Sequence, residues 1–175
     1  MTIEACVVER CAGLGLHPGS GSQRPTVVNC RAVANGSDGL FFCWRVKGGV
    51  AEGNWLEGNG GFGMSIGHKD TDNTVRGNTI IGNRAGGVYW RNETEPMAAH
   101  RITFEENIVR DNEGWGLFVN GETHDTVIRR NVIEDTGTGR QKIGIRIGKQ
   151  AGRVTLENNR TKAEVDLQDD RPAQP

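Results

Sequence analysis

The chain has 175 residues, with 22 acidic and 21 basic side chains, a formal net charge of −1 and a pI near 6.4, so it lacks the basic footprint that nucleic acid or an anionic membrane surface requires. Its 26 glycines against only 5 prolines exclude collagen and a disordered low-complexity chain, and point to frequent turns. The longest apolar runs, such as GLFFCW at Gly39–Trp44, are too short to span a bilayer, and no basic, apolar, small-residue leader follows Met1.

From Ile3 onward the chain repeats itself. Taking Asn54, Asn78, Asn107, Asn131 and Asn159 as anchors, with Cys6 and Cys30 in the same column upstream, the steps are 24, 24, 24, 29, 24 and 28 residues. Three residues before the anchors stand Ile3, Val27, Ala51, Val75, Phe104, Ile128 and Leu156. Two after them stand Val8, Ala32, Leu56, Ile80, Val109, Ile133 and Thr161. Nine after come Gly15, Gly39, Gly63, Gly87 and Gly116, with Gly144 joining once four inserted residues are set aside. Each of these glycines opens a run of period two, as in GMSIG at Gly63, GVYWR at Gly87 and GLFVN at Gly116, the mark of a strand with one buried face.

Each repeat therefore predicts three short strands and no helix. Hairpins of a sandwich would not restart at a fixed step, whereas a coil stacked on its own copy would. The expected fold is all-β: a parallel β-solenoid of about seven coils and three short parallel sheets, 24–29 residues per coil. It forms a single domain over 3–168, with a polar, unstructured tail over 169–175. At a strand spacing of about 4.8 Å the rod would be roughly 30 Å long. The anchor asparagines have a structural role in this reading: their amides pair with the coils above and below and satisfy turn backbone groups that would otherwise be buried unpaired.

The pattern V-x-x-N-x-I-x-x-N-x-x-x-G-V-x-W at Val75–Trp90, repeated at Phe104–Val119, resembles the right-handed parallel β-helix proteins of the pectate-lyase type. The resemblance covers about residues 3–161. It implies a right-handed coil with the Gly-led strand as its first sheet and the anchor turn between the second and third. It also implies a secreted or periplasmic setting, substrate lying along the Gly-led sheet, and Ca2+ as a cofactor of the kind that family uses. The family includes lyases, hydrolases, epimerases and noncatalytic modules, so the resemblance specifies fold more than activity. Ile3 already belongs to the first coil, leaving no room for the N-terminal capping helix of that family; this fits a fragment of a longer chain, or an end that packs on another copy.

Within the Gly-led strands, Leu40, Met64, Val88, Leu117 and Ile145 should point inward with Phe42, Ile66, Trp90, Val119 and Ile147. The outward column then reads His17, Phe41, Ser65, Tyr89, Phe118 and Arg146, and the next outward column includes Cys43, Arg91 and Asn120. Exposed aromatics in near succession mark a ligand groove or an interface. Phe41, Tyr89, Phe118 and Asn120 are thus candidate sugar-binding residues. Arg91, Arg146, His68 and Lys69 are the candidate catalytic base and cations for β-elimination, with His124 and Lys142 as further basic candidates. Candidate carboxylates for a hydrolase are Asp70, Asp72, Glu93, Glu95 and Asp125. Insertions at Glu93–Met97 and Thr136–Lys142 would wall the same face.

Two strands, GFGMSIG at Gly61 and IGIRIGK at Ile143, resemble polygalacturonase signatures. Phe62 and Gly148 replace the His and Lys that the resemblance requires, so that activity is not carried over. The cysteines at 6, 11, 30 and 43 lack metal-ligand spacing, and no metal site is expected. Cys6 and Cys30 fall in adjacent coils, either as a disulfide or as buried thiols. The leading expectation is a carbohydrate-active module whose partner is an acidic polysaccharide or oligosaccharide, with cleavage by β-elimination as its chemistry. The alternative is a noncatalytic structural module, assembled into homo-oligomers through its coil ends or its aromatic column.

Overall fold

A computed structural model describes residues 1–173. It contains twenty strands and, among the described residues, no helix. The strands form three parallel sheets. Sheet 1, the Gly-led sheet, runs from Leu40–Phe41 through Phe62–Ile66, Gly86–Trp90, Trp115–Val119 and Ile143–Ile147 to Val165–Asp169. Sheets 2 and 3 have seven strands each, from Thr2–Glu4 to Val154–Glu157 and from Val7–Glu9 to Arg160–Lys162. The fold is a right-handed parallel β-helix of about seven coils.

The register is the one the columns predict. Val27, Ala51, Val75, Phe104, Ile128 and Leu156 are successive partners in sheet 2. Ala32, Leu56, Ile80, Val109 and Ile133 are successive partners in sheet 3. Nearly all of these residues are fully buried, together with Phe42, Trp90 and the Gly-led column Leu40, Met64, Val88 and Leu117. Such stacking puts like residues in contact with their copies, and the core is one continuous column.

The bends turn on left-handed residues, one per coil between sheets 2 and 3 and up to three per coil between sheets 1 and 2, as with His68, Lys69 and Asp72. Between sheets 2 and 3 it is the residue before the anchor: Gly53, Gly77, Glu106 and Arg130, with φ of 64°, 62°, 59° and 55°. Glycine takes this conformation without the Cβ penalty that the others accept. The anchor amides then bridge coil to coil. Asn78 Oδ1 accepts from the Asn54 N–H and Nδ2, both at 2.9 Å, and Asn107 Oδ1 accepts the same two bonds from Asn78. Asn131 and Asn159 continue the series. A second row at the next bend, Asn35, Asn59, Asn83, Asn112 and Gln141, bonds in the same way.

The two cysteines in the anchor column lack this chemistry. Cys30 donates its N–H to Asn54 Oδ1 at 2.9 Å, but a thiol cannot extend the amide row, so the row begins at Asn54. Cys6 and Cys30 are both free thiols; Cys30 is buried and Cys6 is exposed on the outermost coil, which corrects the picture of two buried thiols. At the other end Asp169 still belongs to the last strand, Asp170 accepts from Arg146, and Arg171 pairs with Asp169. Order therefore extends past the point at which the tail was expected to begin; Gln174 and Pro175 lie outside the described residues.

Candidate functional site

The outer face of sheet 1 carries an aromatic cluster built by the coil repeat. In-register pairing places Tyr89 beside Ser65 on one side and Phe118 on the other. The Tyr89 and Phe118 rings lie 5.6 Å apart, Phe62 lies 4.8 Å from Tyr89, and Trp115 lies 5.2 Å from Phe118. All four are partly exposed. Phe62 and Trp115 reach this face because the glycine that follows each of them turns inward with the next residue, so two inward positions run together before the alternation resumes. At Gly63 an added Cβ would strike Ile80 Cγ2 and sit 2.8 Å from Asn83 Nδ2. Gly86 clears the space for the Trp115 indole, whose Nε1 would lie 2.8 Å from a Cβ there. Asn120 Nδ2 donates to Tyr89 Oη at 3.3 Å.

Phe41 does not join this group. It lies under Arg91, whose guanidinium carbon stands 4.4 Å from the ring centroid. Arg91 is held from every side: it donates to Phe42 O at 2.9 Å, Ser65 Oγ at 3.1 Å, Asp70 Oδ2 at 3.2 Å and His68 Nδ1 at 3.2 Å. Ser65 in turn donates to Asp38 Oδ2 at 2.7 Å, so this outward residue is buried. Gly67 makes the arrangement possible, because a Cβ there would stand 2.6 Å from Arg91 Nε. Burial pushes Asp70 up to about 6, against the pull of Arg91 and of the Gly67 and Val46 N–H groups, and lowers the Arg91 pKa. His68, with its pKa lowered by burial, stacks on Trp44 at 5.0 Å and sets Nε2 3.0 Å from Glu93.

The four candidate catalytic residues are therefore not one constellation. Arg91 and His68 meet, but within a closed polar network. Arg146 lies on the other side of the aromatic cluster, over Phe118 at 4.7 Å and paired with Asp170 at 2.8 Å. Lys69 is exposed and lines a cavity of about 350 Å³ with Arg45, Lys47, Arg101 and Glu95. The insertions lie at opposite strand ends of sheet 1, one after Gly86–Trp90 and the other before Ile143–Ile147. Thr136–Lys142 folds around Asp135, whose carboxylate accepts the Gly137, Gly139, Arg140 and Gln141 N–H groups and is held well below the usual carboxylate range, first by the Thr138 hydroxyl and then by the Gly139, Gln141 and Gly137 N–H groups. The other insertion brings Glu95 to His100 and His124.

Sequence reasoning missed Phe62, Trp115 and His100. The first two stand one residue before the Gly column, where Asp38, Phe62, Gly86 and Trp115 share no residue type. His100 and His124 are 24 residues apart, one coil step, and that coincidence was the available signal.

A right-handed parallel β-helix with asparagine-lined bends is a scaffold class used by many proteins. The family model described as "Periplasmic copper-binding protein (NosD)" matches residues 4–168, and the chain belongs to that family. No curated protein sequence matches it. Three solved structures share the fold at a TM-score of 0.77: the Dettilon tailspike protein gp208 at 14% identity, the periplasmic alginate epimerase AlgG at 15%, and the Azotobacter vinelandii mannuronan C-5 epimerase AlgE6 A-module at 21%. They cover 91%, 91% and 95% of this chain, which spans only 34%, 39% and 44% of theirs.

Proposed function

We propose that this chain is a carbohydrate-binding β-helix module that takes an acidic polysaccharide along the outer face of sheet 1. The observation that carries the reading is the cluster of Phe62, Tyr89, Trp115 and Phe118, four rings grouped on one outward face with part of each open to solvent. Ring faces pack on the C–H faces of sugars, and Asn120 adds a polar contact at the cluster's edge. Arg45, Lys47 and Lys69 beyond the strand ends supply cations for carboxylates. The alginate and mannuronan epimerases among the structural neighbours agree with an acidic polysaccharide. Cleavage by β-elimination has little to support it, since Arg91 and Arg146, the cations it would need, are engaged with Asp70 and Asp170.

The test is affinity electrophoresis through gels containing alginate, pectate or neutral dextran. Retardation by the acidic polymers, weakened about tenfold in Tyr89→Ala and Phe118→Ala, or about 1.4 kcal/mol, is expected. Equal mobility in all gels, or retardation that both variants retain in full, would sink the reading. Ultraviolet absorbance of unsaturated uronate ends tests the lyase chemistry in the same samples, and none is expected.

The family description names copper. Thiolates favour Cu(I); Cys6 and Cys30 lie side by side in adjacent coils, but none of the four cysteines joins the one metal-competent group among the described residues, Glu95, His100 and His124. Two imidazoles and a carboxylate fit Cu(II) and other borderline divalent ions.

A further inference from the structure

The bend between sheets 1 and 2 carries a feature that the sugar-binding reading does not use. Its central column pairs Lys47, Thr71, His100 and His124 by successive parallel bridges. His100 and His124 occupy equivalent positions one coil apart, so their imidazoles stack, with centroids 3.7 Å apart and planes 20° apart. The insertion then folds back over this bend. Its Glu95 N–H donates to Glu122 at 2.6 Å, and Glu95 Oε1 reaches 2.8 Å from His100 Nε2 and 3.6 Å from His124 Nε2. One donor atom from each residue lies within 4.8 Å of the others.

From this geometry we infer that Glu95, His100 and His124 form a binding site for a borderline divalent transition metal such as Zn(II) or Cu(II). His124 is already set as a ligand. Its Nδ1 lies 2.8 Å from Asp125 Oδ2, and a carboxylate there holds the proton on Nδ1 and leaves the Nε2 lone pair facing Glu95. His100 Nε2 now shares its proton with Glu95. Metal capture moves that proton from Nε2 to Nδ1 by exchange with solvent, so the ring stays a neutral imidazole, and gives up the long 3.3 Å contact with the His124 N–H. The Nε2 lone pairs converge when the His124 ring turns out of the stack and Glu95 follows it, which the open side allows, since these two are 39% and 52% exposed, while the His100 ring, 10% exposed, stays in place. Three protein ligands leave a fourth tetrahedral position open to water or to another ligand. Imidazole nitrogens disfavour the oxygen-seeking Ca2+. Glu95 and His100 share a cavity with Arg45, Lys47 and Lys69, but none of the three ligands belongs to the aromatic cluster, so the site stands whether or not that cluster binds sugar.

The experiment is isothermal titration of the chelator-treated full chain with Zn(II), Cu(II) and Ca(II), alongside thermal unfolding with and without each ion. One Zn(II) or Cu(II) per chain and a raised unfolding midpoint are expected, with no response to Ca(II). His124→Gln should weaken binding at least 100-fold. Asp125→Asn, which keeps a residue at ease in the left-handed conformation, should weaken it 10–100-fold through His124 orientation. Tyr89→Ala should leave it unchanged. Circular dichroism verifies that each variant is folded, and His124 and Asp125, both partly exposed, carry the test if His100→Gln misfolds. Absence of stoichiometric binding, or binding that His124→Gln and Asp125→Asn both leave intact, would overturn the site.

Discussion

The bend between sheets 2 and 3 and the bend between sheets 1 and 2 do the same mechanical task with opposite sequence economies. The first repeats one residue: from Asn54 to Asn159 every coil supplies an amide that serves the coil before it. The second supplies such groups once. Asp70 takes the Val46 N–H at 2.9 Å and Asn73 the Gly49 N–H at 2.6 Å. In the following coils the same positions hold Ala99 and Ile102, then Thr123 and Thr126, whose buried hydroxyls have no partner. A column that never changes is scaffold. A column that changes from coil to coil has been released from that duty, and there the buried Asp70–Arg91 pair and the Glu95–His100–His124 group are found.

The largest effect should come from breaking the uniform bend at its middle. Asn78→Ala removes both bonds to Asn54 and the donation to Ala51 O, leaving several buried groups unpaired, each costing 1–3 kcal/mol; a loss of about 3–5 kcal/mol in urea denaturation is expected. Asn159→Ala, at the partly buried last rung, should cost about 1 kcal/mol. Equal losses at the two sites would break the comparison.

Asp70 sharpens it through pH. Because burial raises its folded pKa from 3.8 to about 6, the folded chain holds a proton across that interval that the unfolded chain has lost. The stability it contributes is full below the unfolded value and disappears as pH rises through about 6. At about 1.4 kcal/mol per unit the fall is about 3 kcal/mol. Denaturation of wild type and Asp70→Asn at pH 4, 5, 6 and 7 checks this, and the difference between the two proteins should change with pH in that direction. A smaller effect is expected at the same bend from Gly67→Ala, whose Cβ would crowd Arg91 Nε and Cβ at 2.6 and 2.7 Å and cost about 1–3 kcal/mol. Least of all, Arg76→Met removes the exposed ion pair with Glu52 and should leave the denaturation midpoint within experimental error, since water already screens such pairs.

Much of this was legible beforehand because translation along the solenoid axis writes one column of the fold as one spacing in the chain. The anchors, the inward Leu40–Met64–Val88–Leu117 column and the outward Tyr89 and Phe118 follow from a step of 24 to 29 residues. The second amide row was present in the motif as Asn83 and Asn112, but its last member is Gln141, displaced by an insertion, so the column did not close. Arg91 looked like a free cation because spacing shows which way a side chain leaves the strand, not what it meets there. Asp38 and Phe42 O come from one coil, and Ser65 and Asp70 from the next.

The sequence alone determined the coil: its strand count, its register, its bends and its core, since each depends on contacts between a residue and its own repeat. Only the tertiary structure decided which polar side chains are closed into networks and which remain available. Glu95 leaves the repeat in an insertion and comes back onto His100 and His124, and the place where an irregular loop returns is set by packing, for which the chain carries no period.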